Sequence, residues 1–161
     1  MVYLGLSEVD ERTFVAEIVW HFEHPRVAVW EATLNADRWP LRADGFSPVE
    51  GAIFTSGPFP ALGGEYLGRL DCNVSTLRPH ELCVFDVSVP RHTGSPSQWE
   101  IHTEWSDHAG GTQAITKIRG ARPDSDSDRL LMDMLGSVIR WMYGHIDEDL
   151  GEPTAAPSNK R

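Results

Sequence analysis

The chain has 161 residues, a usual length for a single domain, and its 40% hydrophobic and 24% charged residues are typical of a globular protein. Fourteen basic and twenty-four acidic side chains give a net charge of −10, which disfavours binding to nucleic acid or to anionic lipid headgroups. No apolar run is long enough to cross a bilayer, and residues 1–10 lack the features of a signal peptide. We therefore expect a cytoplasmic protein that neither binds nucleic acid nor inserts into membranes.

The first regular pattern is a strand at residues 13–22, in which every second residue is apolar, as in a strand with one buried face. We interpret residues 1–12 as a lead-in to this strand. Two short helices are predicted next. Pro25 suits the first turn of a helix, and apolar residues follow it at helical spacing, at Val27, Trp30 and Leu34. The second helix is a short turn around Trp39.

Short strand-like runs fill the centre of the chain, separated by turns rich in glycine and proline. Together with the first strand they predict about six strands joined by hairpin-length links. The runs are residues 53–55, 64–72, 82–89, 99–105 and 114–118. Between the third and fourth runs, residues 90–97 form a loop that we expect to edge the mouth of a cavity.

The last predicted element is a long amphipathic helix with acidic residues near its start, where they suit the positive end of the helix dipole. Residues 151–161 contain two prolines and small polar residues, so we expect a disordered tail. Residues 13–150 are then one α+β domain, in which a curved antiparallel sheet wraps around the C-terminal helix. A strongly bent sheet and a single helix leave space between them, so this layout predicts an internal apolar cavity.

Several segments occur in the order found in one known superfamily. They are the nine residues 24–32 (HPRVAVWEA) after the first strand, Gly63-Gly64-Glu65-Tyr66, residues 77–85, and Gly110-Gly111-Thr112. Over residues 13–146 the chain resembles the SRPBCC, or START-like, superfamily. It looks most like the branch that includes an activator of a heat-shock chaperone ATPase and polyketide-cyclase-like proteins. The resemblance implies the helix-grip fold, but members include ligand carriers, cyclases, dehydratases and chaperone regulators, so it does not select one function.

Aromatic and apolar side chains on the faces assigned inward are the candidate ligand-binding residues, because aromatic walls suit flat apolar ligands. For each of them, simple packing in the core is the alternative interpretation. The candidates are Trp20, Phe22, Tyr66, Phe85, Trp99, Trp105, Leu135, Val138, Trp141 and Met142.

The sequence contains no closely spaced metal-ligand pair and no nucleotide-binding glycine motif, so neither a metal nor a cofactor is predicted. Cys72 and Cys83 are interpreted as small apolar core residues. No catalytic set is assembled. For acid–base chemistry, the first candidates are His102, Asp86 and Tyr66, although His102 and Asp86 are expected on the outer face of the sheet.

Three functions follow from these patterns. The first is binding or sequestration of a hydrophobic small molecule, such as a lipid, an aromatic compound or a polyketide-like ligand. The second is a cyclase- or dehydratase-type enzyme that acts on such a ligand and gains rate by confining it. The third is a regulator or co-chaperone that acts through protein contacts. A homodimer is compatible with the size of the domain, but the sequence indicates no particular interface.

Overall fold

The structure is a computed structural model that describes residues 2–8, 13–59, 64–121 and 126–151. Side chains are described for residues 15–59, 64–120 and 126–151. Apart from Gly151, the tail predicted to be disordered at residues 151–161 lies outside these ranges.

The described residues form seven strands, one short helix, one 3-10 turn and one long helix. In chain order these are β1 Val2–Glu8, β2 Thr13–Phe22, α1 Arg26–Thr33, the 3-10 turn Ala36–Arg38, β3 Ile53–Ser56, β4 Leu70–Arg78, β5 Leu82–Val89, β6 Ser97–His108, β7 Gly111–Ala121 and α2 Asp126–Leu150. The strands form a single antiparallel sheet in the order β1-β2-β7-β6-β5-β4-β3. This arrangement confirms the α+β fold with a long C-terminal helix and two short helical segments after the strand at residues 13–22.

The sheet has one strand more than the sequence pattern indicated. β1 lies in the segment interpreted as a lead-in and pairs with β2 at one edge of the sheet. Its pairing shifts register between Tyr3 and Gly5, and a glycine inside a strand breaks the alternation on which strand prediction depends. The run predicted at residues 64–72 is also displaced, because residues 64–69 form a turn in which Gly68 has a φ of 87° and the strand begins at Leu70.

One face of the sheet packs against α2, while the other faces solvent. On β2, Ala16 and Ile18 are almost completely buried beneath the helix. Their neighbour Glu17 points the opposite way and lies 3.8 Å from the ammonium group of Lys117 on β7. Because successive strand residues point to opposite faces, every second residue of a strand faces the interior, and the residues between them face solvent.

Candidate ligand-binding cavity

A cavity of about 100 Å³ lies between α2 and the inner face of the sheet. On the sheet side, Phe85 and Ile101 are directly paired on β5 and β6, and both line the cavity. The residues of the same parity on β4 and β5 extend this floor, namely Leu70, Cys72, Cys83 and Val87. This part of the floor is therefore apolar.

Helix α2 forms the roof of the cavity. Its lining residues recur at intervals of three and four positions, which places them on one helical face. They are Leu135, Val138, Ile139, Met142 and Tyr143. The helix thus both closes the sheet and supplies about a quarter of the twenty described residues that line the cavity.

The side of the cavity nearest solvent lies between α2 and the segment that follows the 3-10 turn. Trp39, Pro40 and Leu41 line the cavity here and are partly or fully exposed, as are Val138 and Met142 across from them. The indole N–H of Trp39 donates to the carbonyl of Thr33 at 2.7 Å, which holds the ring in place. These residues define an entrance edged by an anchored aromatic ring on one side and by a helix on the other.

A cluster of three hydroxyl groups joins the roof to the floor. The hydroxyl of Thr116 is hydrogen-bonded to that of Tyr143 and, at 2.9 Å, to that of Thr103. Burial raises the pKa of Tyr143 to about 12, and the hydrogen bonds to Thr116 and Thr103 oppose that rise. Tyr143 is therefore a neutral phenol at physiological pH, and it adds a polar group to a largely apolar lining.

The two cysteines of the chain are free, buried and neutral. Burial raises the pKa of both Cys72 and Cys83 to about 12, so neither is a thiolate near neutral pH. A thiol of this kind behaves as a small apolar group. The interpretation of both cysteines as core residues is consistent with these positions, and both thiols contribute to the wall of the cavity.

Two buried polar atoms on lining residues have no hydrogen-bond partner among the described residues. They are the hydroxyl oxygen of Ser56 and the indole nitrogen Nε1 of Trp105. Both residues are almost inaccessible to solvent, at 4% and 3% exposure. Because buried polar groups in proteins are nearly always hydrogen-bonded, such atoms mark places where a bound molecule could be recognised.

Solved structures with this arrangement share little sequence with the chain. Protein MLL2253 from Mesorhizobium loti is 18% identical and superposes with a TM-score of 0.68, over 88% of this chain and 99% of its own. Ara h 8.0201 is 9% identical, with a TM-score of 0.60 over 83% and 97% of the two chains. DynU16, a protein of the dynemicin biosynthetic locus, is 15% identical, with a TM-score of 0.61 over 84% of this chain and 46% of DynU16.

The chain has the helix-grip fold, as its resemblance to the SRPBCC superfamily implied. No protein-family model matches the sequence, and no curated protein matches it. With identities of 18% or less, the similarity establishes the fold, and the function has to be argued from the site.

Within this helix-grip fold, half of the predicted ligand-binding residues line the cavity. Phe85, Trp105, Leu135, Val138 and Met142 do so. Trp20, Phe22, Tyr66, Trp99 and Trp141 do not.

Trp20 and Phe22 belong to β2, where their rings pack around Tyr143 on the side away from the cavity. The centroid of the Tyr143 ring is 5.8 Å from that of Trp20 and 5.5 Å from that of Phe22. The indole N–H of Trp20 donates to Asp147 at 3.0 Å. Both aromatic residues therefore hold the C-terminal part of α2 against the sheet. They do not line the cavity, because β2 lies two strands away from β6 in the sheet.

Trp99 and Trp141 are also occupied elsewhere. Trp99 is buried against β7, where Gly120 leaves room for its ring, and its indole N–H donates to Ser97 at 2.8 Å. Trp141 is 47% exposed and stacks on His145 with their ring centroids 3.6 Å apart. It lies on the outer side of α2, since a helix turns by about 100° between adjacent residues and Met142 takes the inward position.

Tyr66 is part of a polar clamp formed with Glu65, Arg91 and Asp128. The Tyr66 hydroxyl donates to the Asp128 carboxylate, and the Arg91 guanidinium donates to the same oxygen at 3.1 Å. Burial, followed by the hydrogen bond to Asp128, raises the pKa of Tyr66. The clamp ties two loops to the first turn of α2. The loop at residues 90–97 was expected to edge the cavity mouth, but it contributes to this clamp and no residue of it lines the cavity.

The other two acid–base candidates lie on the outer face of the sheet. Asp86 is exposed, and His102 lies 3.7 Å from Glu104. The structure therefore does not bring His102, Asp86 and Tyr66 together. Within the described ranges, no three His, Cys, Asp or Glu side chains are close enough to hold a metal ion. In the same ranges no helix has the length and apolarity that crossing a bilayer requires.

Sequence reasoning missed several lining residues, above all Tyr143, Trp39 and Ile101. Tyr143 could have been found by continuing the apolar face of α2 by four residues from Ile139. Ile101 lies four residues before Trp105 on the same strand, so it faces the same side of the sheet as that predicted ligand-binding residue. Trp39 carried no such signal, because the path of the loop after the 3-10 turn depends on tertiary contacts.

Proposed function

We propose that this helix-grip protein binds a hydrophobic small molecule whose apolar end occupies the cavity between α2 and the sheet. The observation that carries the proposal is an apolar cavity with an entrance between the Trp39 segment and α2. Burying apolar surface there is favourable by about 25 cal/mol for each Å² removed from water. The fold and its reported neighbours are compatible with this function but do not select a ligand.

The volume of the cavity limits what can enter. At about 100 Å³ it is slightly smaller than an engineered apolar cavity of about 150 Å³ that accepts benzene, and it is well below the roughly 300–1,000 Å³ of most ligand pockets. A single aromatic ring or a short alkyl group is therefore the part that fits. A longer ligand, such as a lipid or a polyketide-like molecule, would extend through the entrance beside Met142, whose unbranched side chain adapts readily.

The cavity chemistry favours binding over catalysis. Among the described residues, the ionisable groups that line it are Cys72, Cys83 and Tyr143, and the pKa of each is raised to about 12. A general acid or base works best when its pKa lies near the operating pH. These three groups stay protonated at neutral pH, so a cyclase or dehydratase mechanism finds no proton-transfer residue on this wall.

Isothermal titration calorimetry with benzene, toluene, ethylbenzene and butylbenzene tests the proposal. Each methylene that enters the cavity should strengthen binding about fourfold, from about 0.8 kcal/mol per buried methylene, until the available space is filled. The gain should then level off. If no member of the series gives saturable heat, the protein does not bind apolar ligands in this cavity.

A further inference from the structure

We propose that the preferred ligand carries a hydroxyl group, which binds at a polar end of the cavity formed by Trp105, Thr103 and Tyr143. This inference rests on the proposed binding function and adds the chemical class of the ligand. Its basis is one unpartnered donor and a cluster of hydroxyl acceptors, on residues that line the same part of the cavity.

Trp105 supplies the donor. Its side chain is 3% exposed and lines the cavity, and its indole nitrogen has no hydrogen-bond partner among the described residues. An indole N–H can only donate. Whatever completes its hydrogen bonding must therefore present an acceptor atom, such as an oxygen.

The hydroxyl cluster supplies the acceptors. The hydroxyls of Thr103, Thr116 and Tyr143 have three protons and six lone pairs between them. Bonds within the cluster can use at most three of these lone pairs, whichever way the hydroxyls rotate. At least three lone pairs remain for a donor from outside, and Thr103 and Tyr143 both line the cavity.

The Trp105 indole N–H and the hydroxyl cluster lie at the same end of the cavity. Thr103 and Trp105 are two residues apart on β6, so both side chains point inward from adjacent positions. A hydroxyl group can accept from Trp105 and also donate to a free lone pair of the cluster, whereas a carbonyl group leaves those lone pairs without a donor. Ser56, the other lining residue with an unpartnered atom, is paired with Leu70 at the far end of the sheet.

The test compares phenol with toluene, which have the same shape but differ in the hydroxyl group. In ¹⁵N-labelled protein, phenol should shift the indole N–H resonance of Trp105 downfield as it saturates the site, and toluene should not. A Trp105→Phe variant assigns that resonance among the six tryptophans of the chain.

Hydroxyl-deletion variants provide the second measurement. In Thr103→Val and Tyr143→Phe, the dissociation constant of phenol should rise about fivefold, which corresponds to one lost hydrogen bond, while that of toluene stays within about twofold of its original value. Tyr66→Phe is the matched control, because it removes a tyrosine hydroxyl outside the cavity and should leave both constants unchanged. If Tyr143→Phe does not fold, Thr103→Val makes the same comparison.

The outcomes separate this inference from the function on which it rests. In one outcome toluene binds in the cavity, but phenol does not shift the Trp105 indole resonance and its dissociation constant responds to the variants as that of toluene does. The inference that the ligand carries a hydroxyl group is then wrong, and the proposed binding of apolar ligands stands. If neither compound binds, the proposed function itself fails.

Discussion

Filling the cavity with a side chain should stabilise the protein and weaken ligand binding at the same time. Val138 is the best position, because it lines the cavity from α2 and is half-buried at the entrance. A Val138→Phe substitution places a ring where the ligand is proposed to lie. Ser137→Phe is the matched control, since Ser137 is adjacent, exposed and outside the lining.

The expected magnitude follows from the cavity volume. At about 24 cal/mol for each Å³ of cavity, 100 Å³ corresponds to about 2.4 kcal/mol, the most that complete filling could recover. A phenyl ring that fills about half of the space should recover about 1 kcal/mol. For a chain of this length, that change raises the melting temperature by about 2–4 °C.

Thermal unfolding followed by circular dichroism measures the stability, and calorimetry with toluene measures binding. Val138→Phe should melt at a higher temperature and bind toluene at least about tenfold more weakly, a loss of about 1.4 kcal/mol. Ser137→Phe should bind toluene as the original protein does. A Val138→Phe protein that is less stable and still binds toluene normally would refute the reasoning, because the space at this position would then not be the ligand site.

Three further predictions concern the framework around the cavity. Tyr66→Phe removes a hydroxyl from the polar clamp and should lower the free energy of unfolding in urea by about 1–3 kcal/mol; an unchanged value would show that the clamp does not stabilise α2. In Gly120→Ala the new Cβ would lie 2.2 Å from the ring of Trp99, so thermal unfolding should show a loss of about 1–3 kcal/mol. Gly64→Ala, with no heavy atom within 4 Å, should show almost none, and equal effects would contradict the packing argument. Burial raises the pKa of Tyr143 from its ordinary value of 10.0 to about 12 in the folded protein, so its contribution to stability is present below pH 10 and is lost as the pH rises towards 12. Urea unfolding at several alkaline pH values should show this decline, and Tyr143→Phe should make it less steep.

Two strands could be predicted to the residue, whereas β6 and β7 extend beyond the predicted runs at residues 99–105 and 114–118. β2 and β5 begin and end where the sequence pattern places them, because each is an uninterrupted run bounded by turn residues. β1 escaped prediction because Gly5 interrupts its pattern. The order of the strands in the sheet was not predicted, since periodicity shows which residues share a face but not which strands are neighbours.

The same limit explains the partial success at the site. Parity on a strand places a side chain inside, as it does for Phe85 and Trp105, but it does not tell where along the sheet the interior stays open. Phe22 and Trp99 have the predicted inward parity and are buried in solid packing. A cavity is the space between elements that side chains do not fill, so its outline can be seen only in the tertiary structure.

The most direct test of ligand binding uses the methionines as reporters. Met142 lines the cavity, whereas Met132 is buried on α2 outside the lining. With ¹³C-methyl-labelled methionine, titration with toluene should move the Met142 methyl resonance along a saturable curve and leave that of Met132 almost unchanged. A saturable response at Met132 with Met142 unmoved would place the bound molecule elsewhere and contradict the proposed site.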